Sequence, residues 1–153
     1  MSIMPHDTKE KRAAYIKKYN HDRVEKGLCA FCGKPRGEDG SKWMCRQCCD
    51  RTNASSREYT QQLKKEVILH YGGKCVCCGE SNLGFLTIDH TNNDGKEHRK
   101  SMGRKDWGGK ELYKWLKKHN YPEGYRVQCF NCNLGRSINN GVCPHQVTKN
   151  PKF

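Results

Sequence analysis

Thr87-Ile88-Asp89-His90 stands between two cysteine pairs, Cys75-x2-Cys78 and Cys129-x2-Cys132-Asn133. Four thiolates at this spacing suit one tetrahedral structural zinc, which predicts a Cys75, Cys78, Cys129, Cys132 site. The segment between the pairs carries an Asp-His dipeptide, and Asn133 follows the second pair directly. Asp and Asn offer oxygen ligands to a hard cation such as Mg²⁺, and an adjacent His can activate water. Residues 72–145 therefore read as one module with zinc for its fold and a second metal for chemistry.

Around Asp89, Leu83-Gly84-Phe85-Leu86-Thr87-Ile88 reads as a short strand. Thr91 to Gly109 holds Asn92-Asn93-Asp94-Gly95 and Gly108-Gly109, so it is expected to be mainly loop. Leu112, Trp115 and Leu116 have helical spacing between Lys110 and His119. Tyr125-Arg126-Val127-Gln128 reads as a second strand leading into the Cys129 turn, with a short helix from Asn133. Strand, strand and helix around a metal make a ββα-metal arrangement. The expected class is thus small α+β modules stabilised by zinc.

A second four-cysteine pattern lies upstream. Cys29-x2-Cys32 and Cys45-x2-Cys48 are separated by twelve residues. This predicts an N-terminal zinc knuckle or ribbon over 27–54, held by Cys29, Cys32, Cys45 and Cys48. Cys49 is a spare thiol or a competitor of Cys48; Cys77 is set aside against Cys75 and Cys78 on spacing only. Ser55-Ser56-Arg57-Glu58 has the form of a capping box and predicts a connecting helix over 55–71, ended by Gly72-Gly73. Residues 1–26 are basic and read either as a helix that settles on phosphates or as a solvated arm. A tail follows from 146 to 153.

Composition points the same way. The chain has 153 residues, 34% of them hydrophobic, and a mean hydropathy of −1.03. Such modules have thin cores and usually need disulfides or metals. No secretory h-region is visible in Met1-Ser2-Ile3-Met4-Pro5-His6-Asp7, and no apolar run suits a membrane span. A cytoplasmic chain is expected, with its eleven cysteines reduced and available to metal. The net charge of +13 favours a nucleic-acid partner through counterion release, DNA first with RNA also compatible. Membrane-surface binding is disfavoured, since no amphipathic anchor is present.

With Asp89-His90, both CxxC pairs and Asn133 taken together, residues 72–145 resemble the HNH, or His-Me finger, endonucleases. The likeness is to zinc-containing, phage-type members of the recombination endonuclease VII branch. That resemblance implies a phosphodiester hydrolase in which Asp89 and Asn133 ligate one Mg²⁺ or Mn²⁺ and His90 is the general base. Products would carry 5′-phosphate and 3′-hydroxyl ends. His98 is a further candidate ligand or phosphate binder, and Arg99 a candidate phosphate clamp; an exposed basic loop is the alternative for both. Asn133 stands where the commonest pattern has His. Gly124 stands where many members have an Asn that braces the loop behind the base, so Asn92 or Asn93 is expected to take over. Cys143-Pro144-His145 reads as extra ligands near a zinc or as a packed turn. Cutting both strands of a symmetric site calls for two active sites and hence a homodimer, which no apolar interface pattern in the sequence encodes. The competing reading is a non-catalytic zinc protein that binds nucleic acid.

Overall fold

A computed structural model describes residues 8–103 and 109–147. The start of the expected basic arm, part of the 91–109 loop and most of the tail lie outside the described residues. The chain divides into two units, residues 1–58 and 59–153.

The first unit holds α1 (Lys9–Glu25) and the start of α2 (Arg46–His70). Thr8 caps α1, its hydroxyl accepting from the Lys11 N–H at 3.3 Å. No side chain of α1 is buried. A helix with no buried face draws little stability from packing, and α1 is tied down at its end instead. Arg23 stacks on the Tyr19 ring at 4.5 Å and donates to the Ala30 carbonyl at 3.1 Å. Residues 9–25 of the basic arm are helical and solvated.

Beyond α1 the chain folds around sulfur. Cys29, Cys45 and Cys48 form the buried cluster of this unit, with Met44 against them. Helix α2 leaves that cluster at Arg46, well before the expected start at 55. The Ser55–Glu58 pattern is therefore helix interior. A capping box needs orphan N–H groups at a helix start. At Ser55 the preceding turn of helix has already taken them.

In the second unit, β1 (Leu86–His90) pairs antiparallel with β2 (Tyr125–Cys129). The register sets Ile88 opposite Val127, Asp89 opposite Arg126, and His90 opposite Tyr125. Helices α3 (Gly95–Ser101) and α4 (Gly109–Lys118) lie between the strands in sequence. Helix α5 (Phe130–Ile138) starts directly after β2, and α6 (Pro144–Val147) follows it. Helix α3 corrects the expectation of a mainly loop segment: Gly95 marks its beginning, not a break. The core joins Leu63, Val67 and Ile68 of α2 to Leu86, Ile88, Tyr113, Leu116 and Val127. Full burial of one such aliphatic chain contributes about 1.5–3 kcal/mol. Sheet, helices and cysteine clusters together make a small α+β fold. No described helix is long and apolar enough to cross a membrane.

Candidate functional site

Both cysteine turns are built by the same hydrogen bonds. Cys29 N–H reaches Lys34 O at 2.8 Å and Gly33 N–H reaches Cys29 O at 2.9 Å. Cys75 N–H reaches Glu80 O at 2.8 Å and Gly79 N–H reaches Cys75 O at 3.0 Å. Each turn leaves two thiols facing a second pair. The sulfurs of Cys29, Cys32, Cys45 and Cys48 lie within 4.8 Å of one another, as do those of Cys75, Cys78, Cys129 and Cys132. Cys32–Cys45 and Cys78–Cys129 are each 3.7 Å apart. Tetrahedral Zn–S bonds of about 2.3 Å put sulfurs about 3.8 Å apart, so both groups can hold structural zinc.

The leading cysteine of each group is primed for ionisation. Burial raises the Cys29 thiol, but N–H groups of Cys32, Cys45 and Phe31 outweigh it and bring its pKa down to about 6. The same opposition at Cys75, with N–H groups of Cys78, Cys129 and Cys77, brings it to about 7. Burial and neighbouring thiols push Cys48 up to about 12. Cys49 is no ligand of the first group; its thiol faces the Met44 carbonyl at 3.7 Å.

Asp89 and His90 end β1, and Asn133 and Ser137 stand one turn apart on α5. They line one cleft of about 410 Å³, together with Asn93, Lys96, Arg99 and others. Of the residues singled out from the sequence, Asp89, His90, Asn133 and Arg99 are thus brought together. His98 is not among the lining residues. Its Nδ1 lies 3.0 Å from His90 Nε2 and 3.2 Å from the Tyr125 hydroxyl. Its ring meets Trp115 edge-on at 4.7 Å between centroids. That placement makes His98 a partner of His90, and no three-ligand group of His, Cys, Asp or Glu converges on Asp89 among the described residues.

His90 is half-buried, packed on Tyr125 with ring centroids 4.8 Å apart. Burial first, and His98 second, lower its pKa from 6.5. Gly95 makes room for the ring: a Cβ there would sit 3.0 Å from His90 Nδ1.

Two arginines were not foreseen. Asp89 Oδ2 accepts from Arg126 Nε at 3.1 Å and Nη2 at 3.0 Å, and from Arg136 Nη1 at 2.7 Å. Arg136 also donates to the carbonyls of His90, Thr91 and Gly141. Strand pairing would have found Arg126, which sits opposite Asp89. Arg136 lies one helical turn beyond Asn133, a spacing that puts both on one side of α5. The turn behind His90 is braced by Arg136, by the Gly124 carbonyl accepting from Thr91 N–H at 2.9 Å, and by Asn93 N–H on His90 O at 3.1 Å. The expected bracing by an Asn92 or Asn93 side chain is replaced by an arginine and by main chain.

Comparison with protein-family models, curated proteins and solved structures found no match.

Proposed function

We propose that residues 72–145 act as a metal-dependent DNA endonuclease of the ββα-metal, His-Me finger type, with His90 as general base. One observation carries this reading: Asp89, His90 and Asn133 share a single cleft with Arg99. The guanidinium bonds to Asp89 all fall on Oδ2. Oδ1 and the Asn133 amide oxygen are hard donors of the kind Mg²⁺ or Mn²⁺ takes. Such an ion, when bound, neutralises charge on the scissile phosphate and on the departing 3′ oxygen.

The side chains supply the rest. In the tautomer that donates Nε2–H to His98 Nδ1, His90 keeps a lone pair on Nδ1, beside Gly95. A depressed pKa keeps that ring neutral at pH 7, as a base accepting a proton from water needs. The planar Arg99 fork suits a pair of phosphate oxygens. Basic side chains on α1 and α3, and a net charge of +13, support a polyanionic partner. Hydrolysis in this sense leaves 5′-phosphate and 3′-hydroxyl ends.

The arginine pairs favour a second reading. Two guanidiniums on Asp89 are also what a structural carboxylate bracing a nucleic-acid-binding module would show. Both readings predict salt-sensitive DNA binding, so catalysis is the test. Supercoiled plasmid is incubated with Mg²⁺ or Mn²⁺, with and without EDTA, using wild type and His90→Ala. Metal-dependent nicking or linearisation, lost in the variant while DNA affinity is kept, is the expected result. Absence of cutting on plasmid, branched DNA and RNA, with binding intact, overturns the enzyme in favour of the binding protein.

A further inference from the structure

The second cysteine group has a neighbour. Cys77, Cys132, Cys143 and His145 also bring their ligand atoms within 4.8 Å of one another, and Cys132 belongs to both groups. Cys132 Sγ lies 3.2 Å from His145 Nδ1, and Cys143 Sγ lies 3.7 Å from it. Cys132 and Cys143 are almost fully buried, at 0% and 2% exposure. Cys77 therefore does not duplicate Cys78; the two adjacent residues serve different clusters. Seven ligand atoms, the shared sulfur among them, are three more than a single tetrahedral ion can use.

We propose that the second unit binds a pair of zinc ions bridged by the Cys132 thiolate. One ion takes Cys75, Cys78, Cys129 and Cys132; the other takes Cys132, Cys77, Cys143 and neutral His145 through Nδ1. Three thiolates and an imidazole are a common structural zinc set, and soft sulfur ligands select against Mg²⁺ or Ca²⁺. Charge favours the pair as well. Beyond the first zinc site, the second ion brings two positive charges and needs only two further thiolates, so it adds no net charge. A thiolate has lone pairs enough to bridge.

The backbone is shaped for this closure. After α5 the chain reverses at Asn140 and Gly141, both with positive φ, and Gly141 N–H returns to Arg136 O at 2.9 Å. Cys143 and His145 are thereby folded back onto the first turn of α5. Gly135 permits the approach, because a Cβ there would lie 2.8 Å from Pro144 Cδ. The second ion would clamp the C-terminal segment to the helix that carries Asn133 and Arg136. None of this depends on the nuclease reading.

Native mass spectrometry of the full chain, purified without chelator, counts the ions directly. Three zinc ions are expected in wild type: one in the first unit and two in the second. Cys77→Ser and the pair Cys143→Ser with His145→Ala should each hold two, and Cys132→Ser only one. A wild-type count of two overturns the proposal without relying on any variant. So does a count of three in the Cys143→Ser, His145→Ala chain. Circular dichroism at one concentration checks that the two-zinc variants keep their helices, and loss of fold together with a wild-type count of three still supports the site.

Discussion

The two cysteine turns share their hydrogen bonds yet sit in different surroundings. Around the first, the buried cluster is the cysteines themselves, with Met44 packed on it. Around the second, the cysteines form one edge of a core that includes Leu63, Val67, Ile68, Leu86, Leu116 and Val127. A local motif can therefore be the whole reason a unit folds or one contributor among several. The candidate site follows the second case: a strand pair backed by aliphatic packing can hold Asp89 and His90 against a helix. The first unit has no strand pair with such backing among its described residues.

Metal removal breaks the comparison most sharply. With zinc chelated, residues 28–48 should lose all amide protection, since metal binding and folding are one event in such sites. Residues 86–90 and 125–129 should keep part of theirs in hydrogen exchange followed by mass spectrometry. Equal and complete loss in both units would mean that aliphatic packing cannot hold the strand pair without metal. The converse variant is Leu116→Ala. It should cost about 2–5 kcal/mol of the second unit's stability, while leaving the zinc of the first unit in place. Denaturant unfolding with a metal count on the same sample decides it.

Arg136→Ala is the next effect in size. It removes one of the two guanidiniums on a carboxylate that is 11% exposed and frees three carbonyls at once, while Arg126 stays on Asp89. A loss of about 1–3 kcal/mol is expected, the scale of lost hydrogen bonds with the carboxylate still paired. Any metal-dependent cutting should fall as well, because Asp89 and the His90 turn lose their shared brace. Lysine at the position should restore little, since one ammonium does not span that set of acceptors.

The smallest effect is the pH response of His90. Its pKa is depressed in the folded chain, by burial and by His98. On acidification the unfolded chain takes up the proton first, so stability falls as pH drops through 6.5. The erosion stops below the folded pKa. His90→Gln should flatten that slope relative to wild type in thermal unfolding across the window. An identical slope would place the titration elsewhere.

Much of this was legible in the sequence. CxxC pairs announce their chemistry because the ligand spacing is local. Leu83 to Ile88 and Tyr125 to Gln128 were readable as strands, and Lys110 to His119 as a helix, from their patterns, although residues 83–85 are turn and β1 runs Leu86–His90. Helix boundaries were less legible. Ser55-Ser56-Arg57-Glu58 looks like a start because its hydrogen-bonding partners depend on whether helix precedes it. Asn92-Asn93-Asp94-Gly95 looks like an extended loop, yet a helix begins at Gly95.

What the sequence determined by itself was the inventory: two four-cysteine groups, an Asp-His at a strand end, an Asn after a cysteine pair, and a strong positive charge. Tertiary structure decided the partners. Cross-strand register put Arg126 on Asp89, and the α5 turn added Arg136 to the same oxygen. Folding back at Gly141 gave Cys132 a second set of neighbours, separating Cys77 from Cys78. These pairings join residues far apart in the chain, and only the packing of strand against helix sets the distances on which charge and coordination depend.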